Sequence, residues 1–347
     1  MPDRAYLDWN ATAPLRAEAR AAMLSAMDAV GNPSSVHAEG RAAKAIVERA
    51  RQQVADAMGA SSADIVFTSG ATEAAALALA GRGLRGAQGI EHEAVAAWIE
   101  EDLTVDKQGL VQAAEGDVLQ LANSETGVLQ SLPEGLAVSD MTQAFGKIPV
   151  AFDWSGVEMA LISAHKLGGP KGIGALVLKR GLDVSAQIQG GGQEMGRRSG
   201  TENIVGIAGF GAAAEAAARD LADGVWDRVA ELRNILEISL DAAANDIIFV
   251  GTSTPRLPNT LCFAAPGWKG ETQVMQMDLA GFAVSAGSAC SSGKLRESRV
   301  LRAMGYEQDV ASGAVRVSLG PDVTEEQVVR FAERWGGQYE KFKARRR

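Results

Sequence analysis

The sequence predicts an α/β protein of two lobes, the larger built on a mostly parallel sheet covered by helices and the smaller of the α+β type. At 347 residues the chain exceeds the ~250–300 residues at which a single core stops growing. Short apolar runs alternate with helical or Gly-rich stretches through its middle, which is typical of a buried parallel sheet. After residue 245, short strands mix with helices, as in a smaller α+β lobe.

The chain opens with two predicted helices. Pro14 marks the start of the first and Gly31 its end, with apolar residues at near-helical spacing between them. The second begins at about Ala38 and carries one apolar stripe as far as Met58. The apolar runs that follow are predicted strands of the large sheet, at residues 65–67, 118–121, 136–138, 160–162 and 175–178.

An Ala-rich helical stretch at residues 202–245, broken near Gly224, is predicted to link the two lobes. Thr324 and Gln327 form a predicted capping box at the start of the closing helix. Strands of the smaller lobe are predicted at residues 247–250, 261–263 and 315–318. We therefore expect an N-terminal segment joining the smaller lobe at 1–13, the larger lobe at 14–223 and the smaller lobe at 224–347.

The composition is that of an ordinary globular enzyme, with 46% hydrophobic and 22% charged residues. A formal net charge of -9 argues against a general affinity for nucleic acid or acidic membranes. No apolar run approaches the ~20 residues of a membrane span, and the N-terminus lacks the apolar core of a signal peptide. We therefore expect a cytoplasmic protein. Two cysteines exclude a disulfide framework and a four-cysteine zinc site, and no metal site is predicted.

The strongest local signal is the segment 163–172, Ser-Ala-His-Lys-Leu-Gly-Gly-Pro-Lys-Gly, in which a buried-looking strand ends at Lys166. An amine at this place can form an imine with a carbonyl cofactor, and desolvation lowers its pKa enough for it to act as a base. Ser163 and His165, which flank the lysine, have the groups needed to hydrogen-bond a phosphate. A solvated lysine at a strand end is the alternative interpretation.

Three weaker signals accompany this segment. Residues 68–73 follow a strand and open an Ala-rich helix, whose N-terminal amides suit either a phosphate or an ordinary cap. Asp140, with Gln143 three residues on, either keeps a pyridinium nitrogen protonated or caps a helix. His92 is a candidate for stacking on a cofactor ring, although a lone histidine is more often structural.

Each cysteine has its own surroundings in the sequence. Cys290 lies among Gly, Ser and Ala at residues 285–293, the composition of a mobile loop, and is a candidate nucleophile. Cys262 lies in a strand-like apolar run and is predicted to be a small buried hydrophobe. Arg198 and Arg316 either clamp a substrate carboxylate or form structural ion pairs.

Taken in order, these segments resemble the NifS/IscS-type cysteine desulfurases of the class V aminotransferase family, over nearly the whole chain. The motifs that carry the resemblance are residues 6–8 with 10–12, 31–37, 68–73, 91–92, Asp140 with Gln143, 163–172, 190–194, 198–201 and the Cys290 loop. Each short motif arises by chance, but their ordered combination is specific. The resemblance implies the fold type I of pyridoxal-phosphate transferases and L-cysteine desulfurase activity.

The resemblance also implies residue roles and partners. Pyridoxal 5'-phosphate would form a Schiff base with Lys166, the general base, and Cys290 would take the sulfur of L-cysteine as a persulfide, giving alanine. A homodimer and a sulfur-acceptor protein are the implied partners. The resemblance places His92 on the pyridine ring, Asp140 on the ring nitrogen, and Gln143 and the Ser124 position at the ring hydroxyl. The implied phosphate contacts are Ala71, Thr72, Ser163 and His165, together with Thr201 of the partner subunit. The implied contacts of the substrate carboxylate are Asn32 and Arg316.

The sequence departs from the family pattern at several points. Ser124 stands where an asparagine normally contacts the ring hydroxyl, which affects the electronic tuning of the cofactor. The stretch from Gly81 to Val118 is shorter than usual, and Arg299 replaces a residue that is usually His or aromatic. Two alternatives therefore stay open beside a desulfurase: another class V reaction, such as transamination or a cysteine or selenocysteine β-lyase step, and a non-catalytic scaffold or regulatory paralog.

Overall fold

A computed structural model describes residues 4–287 and 297–345 of the chain. The α-helices of these ranges are, in chain order, α1 Ala17–Met27, α2 Ala38–Met58, α3 Ala71–Leu79, α4 Glu93–Ala96, α5 Ile204–Ala222, α6 Val225–Ala243, α7 Gly270–Leu279, α8 Arg299–Ala303, α9 Gln308–Ser312 and α10 Glu325–Ala344. The predicted break near Gly224 and the capping box of Thr324 and Gln327 are both confirmed.

The same ranges contain short β-strands. They are β1 Ala5–Tyr6, β2 Ala63–Thr68, β3 Arg85–Ala87, β4 Glu100–Leu103, β5 Val138–Asp140, β6 Met159–Ser163, β7 Gly174–Lys179, β8 Ile248–Val250, β9 Thr260–Ala264, β10 Phe282–Ala283, β11 Ser285–Ala286 and β12 Ala314–Ser318. Helices and strands alternate through most of the chain, so the predicted α/β class is confirmed.

The large sheet has the order β2–β7–β6–β5, and parallel bridges at Val118 join β5 to β3 and through it to β4. β5 and β6 are parallel, as are β3 and β4, whereas β7 is antiparallel to both of its neighbours. The prediction of a mostly parallel sheet is therefore confirmed, with β7 as the exception.

The predicted strand at residues 118–121 is reduced to the bridge at Val118. Its amides at Leu119 and Leu121 still donate to carbonyls of the β5 segment. The amide of Gln120 donates instead to the side-chain carboxyl of Glu91, at 3.0 Å. A side chain thus replaces a strand partner at the middle of the run, which interrupts the regular ladder.

Side chains of the large sheet alternate between two apolar layers. In β2, Ile65 and Phe67 pack into a core with α2 and α5, and Val66 packs on the other face with α3. The same alternation continues along β6 and β7. Phe210 of α5 makes edge-to-face contacts with Phe67 and with Phe145. Helices therefore cover both faces, which explains the continuous apolar runs in the sequence.

A second apolar core lies around the antiparallel sheet β11–β12–β9–β8. It contains residues of α6, α7 and α10, with Trp335 packed edge-to-face on Phe263 and stacked on Tyr339. The N-terminal strand β1 pairs with β10, and Ala5 and Leu7 are buried in this same core. The expected limits of the lobes, near residues 13 and 223, stay predictions.

The first helix begins at Ala17, three residues after the predicted start at Pro14. The amides of Ala13 and Arg16 donate to the carbonyls of His165 and Gly168, respectively. These bonds hold the chain extended against the loop after β6 and delay the first helical turn. No helix in the described ranges is long and apolar enough to cross a membrane.

A buried ion pair fixes the loop that precedes α5. Glu194 adopts a left-handed conformation (φ 48°), which is uncommon for a non-glycine residue. Its buried carboxylate accepts two hydrogen bonds from the Arg51 guanidinium, at 2.8 and 3.0 Å, and one from the Phe67 amide at 3.0 Å. These three bonds hold the loop against α2 and β2.

Replacing Arg51 tests this attachment. Arg51→Met should lower the free energy of unfolding by about 3 kcal/mol, because it leaves the carboxylate of Glu194 buried without its cation. Urea unfolding followed by circular dichroism measures the difference. Arg49→Met, at an exposed position two residues away in α2, is the matched control and should change stability little. Equal effects of the two substitutions would contradict this account of the loop.

Candidate active site

Lys166 lies directly after the carboxyl end of β6, in a 3-10 turn formed by Ala164–Lys166. Its half-buried amine donates to the main-chain carbonyls of Asn10, at 2.7 Å, and Ala11, at 2.9 Å. Both acceptors belong to the N-terminal segment, which crosses the end of the strand. The amine is therefore held by tertiary contacts and does not extend freely into solvent.

The N-terminus of α3 meets the end of β6 across the sheet. Gly174 of β7 pairs with Ser163 on one side and with Thr68 of β2 on the other. A Cβ on Gly174 would lie 2.8 Å from the backbone of Gly70, which precedes α3. No described side chain caps this helix, so the amides of its first turn, at Ala71 and Thr72, have no capping acceptor. The arrangement is a cradle for an anion beside Ser163.

His165 faces the N-terminal segment. Its Nδ1 lies 3.1 Å from the hydroxyl of Thr12. Burial, helped by the positive charge of Lys166, lowers the pKa of His165 to about 4. The imidazole is thus neutral at pH 7, and it can give or take a hydrogen bond without adding a charge to the cradle.

Asp140 and Gln143 follow the neighbouring strand, β5. The carboxylate of Asp140, the last residue of the strand, accepts the amide of Thr142 at 2.9 Å and so closes a turn. No described helix begins at this point, so the helix cap considered from sequence is not present. Gln143 is buried, and its Nε2 donates to the carbonyl of Asn10 at 3.0 Å. Lys166 donates to this same oxygen, so the side chains of Gln143 and Lys166 lie next to each other.

His92 lies at the mouth of a cleft of about 660 Å³. It is exposed and caps α4, with Nδ1 accepting the amide of Ala94 at 3.1 Å. Ser124 and Arg316 line the same cleft, so three of the predicted site residues share it. Arg299, the residue that departs from the family pattern, also lines the cleft. Its guanidinium forms an ion pair with Glu101 at 2.6 Å.

Glu91, next to His92, is a fully buried carboxyl at this cleft, 4% exposed. One oxygen accepts the Gln120 amide, and the other has no hydrogen-bond partner among the described residues. Burial, with a smaller contribution from the charge of Asp140, raises the pKa of Glu91 to about 8. The carboxyl is therefore mostly protonated at pH 7.

Arg316, in β12, joins the cleft to the N-terminal segment. It donates to the carbonyl of Ser124 and to the carboxylate of Asp8, both at 2.9 Å, and to the hydroxyl of Ser285 at 3.2 Å. The guanidinium is thus held rigidly, and the ion pair considered from sequence is present. Arg198 likewise pairs with Glu73 at 2.8 Å, which is the structural alternative for that residue.

Of the predicted site residues that the structure describes, only His92, Ser124 and Arg316 line the cleft. Lys166 and the residues around it at the ends of β5 and β6 and the start of α3 do not line it, and neither do Asn32 and Thr201. The side chain of Asn32 accepts the amide of Ser34 at 2.9 Å. Thr201 is exposed and lines a separate cavity of about 210 Å³ together with Thr68 and Ser69. The proposed roles of these two side chains stay predictions.

The structure describes one of the two cysteines, Cys262. Cys262 is fully buried in β9, and burial raises the pKa of its thiol well above the ordinary value, so it is an inert hydrophobe. Cys290 lies outside the described residues. The flanking described residues Gly287 and Glu297 both line the cleft that contains His92 and Arg316.

Sequence reasoning missed two residues at the centre of the site. Asn10, 1% exposed, accepts hydrogen bonds from Lys166 and Gln143, and Lys147 is a buried lysine bonded to Asn10 and Gln143. Asn10 occurs in a motif that matched the family, but nothing local distinguishes it from a surface asparagine. The only local signal for Lys147 is its position four residues after Gln143.

The chain matches the aminotransferase class V family over residues 5–105 and 107–331. It is 36% identical to the cysteine desulfurase IscS of Dictyoglomus turgidum, over 94% of this chain and 92% of that protein. The solved structure of a NifS-like protein from Rickettsia africae superimposes with a TM-score of 0.88 at 30% identity, covering 97% of this chain and 99% of the other. A structure described as SspA in complex with cysteine matches with a TM-score of 0.74 at 26% identity, covering 91% and 99%.

These matches extend over both cores and include the segments that carry Lys166, His92 and Asp140. The chain therefore belongs to the class V aminotransferase family, and within it to the cysteine desulfurases.

Proposed function

We propose that the protein is a pyridoxal-phosphate-dependent L-cysteine desulfurase, which converts L-cysteine to L-alanine and collects the sulfur as a persulfide on Cys290. The observation that carries the proposal is the position of the Lys166 amine, at the end of β6, beside Gln143 and next to the cradle formed by α3 and Ser163. Sulfur collected in this way would supply iron–sulfur clusters, or thiolated cofactors and tRNA.

The residues present fit pyridoxal 5'-phosphate. The uncapped first turn of α3 can take the phosphate, because Gly174 leaves room for the backbone of Gly70 to approach Ser163. The carboxylate of Asp140 ends the strand next to the one that leads to Lys166, which suits a ring nitrogen. His92, exposed at the cleft, can cover one face of the ring.

When bound, pyridoxal phosphate supplies an electron sink for the charge left on the substrate α-carbon. In that setting Lys166 takes the α-proton, and the carbonyls of Asn10 and Ala11 orient its amine. Asp140 would hold the proton on the ring nitrogen. His165, neutral at pH 7 because of its lowered pKa, holds the phosphate as a hydrogen-bond partner.

Arg316 offers a fixed positive charge to the substrate carboxylate, with Asn32 as its proposed partner. The Cys290 thiolate then bonds to the sulfur of the substrate, and the carbon–sulfur bond breaks. The sulfur atom passes to Cys290 as a persulfide, the carbon it leaves gains a proton, and the α-carbon takes back a proton from Lys166, so the products are alanine and the persulfide. A sulfur-acceptor protein would remove the outer sulfur and return the thiol.

The cofactor can be tested by colour. The purified protein should absorb above about 390 nm, as lysine-bound pyridoxal phosphate does, and borohydride should fix the cofactor on a peptide that contains Lys166. Lys166→Ala should abolish the band, whereas Lys171→Ala, in the same segment but exposed, should keep it. A colourless protein that takes up no added pyridoxal phosphate would refute the proposal.

The sulfur step can be separated from the proton step. Cys290→Ser should keep the yellow colour but release sulfide from L-cysteine at least about a hundredfold more slowly, because an unactivated hydroxyl is a poor nucleophile towards sulfur. Cys262→Ser is the matched control and should leave turnover nearly unchanged, since Cys262 is buried in β9. If Cys290→Ser released sulfide at the unsubstituted rate, a β-lyase reaction would replace the persulfide mechanism. Absence of both activities would favour a non-catalytic paralog.

We further propose a two-fold dimer in which Thr201 reaches the phosphate of the neighbouring subunit. Thr201→Ala should then weaken cofactor binding about tenfold or more, the value of a hydrogen bond to a charged group. Equilibrium dialysis of the cofactor measures the effect, and light scattering measures the assembly. Thr252→Ala, at another exposed position, is the control. A monomer with full cofactor occupancy would contradict the dimer proposal.

A further inference from the structure

Lys147 is a lysine in the interior of the protein that the chemistry above does not use. It is 1% exposed, and its amine donates to Oδ1 of Asn10 at 3.0 Å and to Oε1 of Gln143 at 2.6 Å. Among the described residues no carboxylate lies within ion-pair distance of it. Burying a lysine without a counter-ion is costly, so a merely structural role would be served better by an apolar side chain.

The orientation of the Asn10 amide is fixed by several other bonds. Its Oδ1 also accepts Nδ2 of Asn259 at 3.1 Å, and its own Nδ2 donates to the hydroxyl of Thr260 at 2.8 Å. The Asn10 side chain is therefore anchored from the smaller sheet, where β9 begins at Thr260. It presents an oxygen to Lys147, and the amine is held in place.

The amine of Lys147 in turn sets the orientation of the Gln143 amide. In either protonation state it has at least two N–H groups to give, enough for the two oxygens it contacts. Oε1 of Gln143 thus faces Lys147, and Nε2 faces the opposite way, towards the Asn10 carbonyl that also holds Lys166. One N–H of Nε2 is used there, and among the described residues no acceptor takes the second.

We propose that Lys147 is a positioning residue that locks the amide of Gln143 with its N–H groups towards Lys166, so that Gln143 donates to the ring oxygen of the lysine-bound cofactor. The inference rests on the proposed function. Without Lys147 the amide is free to turn, and its oxygen would then face the ring oxygen, where two acceptors repel each other. Donation to the ring oxygen stabilises its negative charge and so favours the deprotonated form of the neighbouring imine nitrogen.

The charges around Lys147 are also defined. Burial, reinforced by the charges of Lys166 and Arg316, lowers the pKa of Lys147 well below its ordinary value. His165 is the other titratable group that senses this amine. Replacing Lys147 with methionine removes a titratable amine as well as a hydrogen-bond donor. A neutral variant that keeps an N–H donor is therefore needed to separate the hydrogen-bond effect from a charge effect.

The test is a pH titration of the visible band of the cofactor-loaded protein. Lys147→Met, similar in length but unable to donate, should raise the pH of the colour change by about one unit, the value of one hydrogen bond to a charged group. Gln143→Leu should give the same shift, and the double variant should give no more than either alone, because Lys147 acts through Gln143. Lys107→Met, an exposed control, should leave the transition in place.

Lys147→Gln distinguishes orientation from charge, and it decides the matter if Lys147→Met does not fold. It keeps an N–H donor for Oε1 of Gln143 without a charge, so the colour change should stay near its original pH. A shift as large as that of Gln143→Leu would overturn the proposal, as would additive shifts in the double variant. A wild-type protein that never develops the band would instead contradict the proposed function. A band that ignores every change at Lys147 would contradict the positioning role alone.

Discussion

The main-chain carbonyl of Asn10 is the contact on which the site depends. It accepts both the amine of Lys166 and the amide of Gln143, which come from the ends of two neighbouring strands of the large sheet. A carbonyl oxygen has two lone pairs, and both are used here. Because the acceptor is a backbone atom, its position is set by the path of the N-terminal segment, whatever the side chain at that position.

That path is determined by the smaller sheet. The strand β1 pairs with β10, and the amide of Asn10 donates to the hydroxyl of Ser318 at the end of β12. Asp8, two residues earlier, holds the guanidinium of Arg316. The position of the smaller sheet therefore determines where the N-terminal segment meets the strand ends of the large sheet. A rotation between the two sheets would move the acceptor of Lys166 and the partner of Arg316 together.

Sequence patterns predicted what local physics determines. The apolar runs of β2, β6 and β7, the break near Gly224 and the cap at Thr324 follow from periodicity and turn chemistry, and each is present. The interrupted run at residues 118–121 and the late start of α1 could not be predicted, because their causes are partners distant in sequence. In the site, the segment 163–172 was enough to predict Lys166 from sequence. Lys147 could not be predicted, since a buried lysine with amide partners leaves no local pattern.

The buried carboxyl of Glu91 makes the stability of the fold depend on pH. An exposed glutamate loses its proton near pH 4.5, whereas Glu91 in the folded protein keeps it until about pH 8. Between these values the folded chain holds one more proton than the unfolded chain, so unfolding releases it and becomes easier as the pH rises. This group's stabilisation is complete below pH 4.5 and is lost as the pH passes through 8. A rise in pH through 8 therefore lowers the stability of the whole fold through this one buried carboxyl, at a pH where the guanidinium groups of the ion pairs keep their charge.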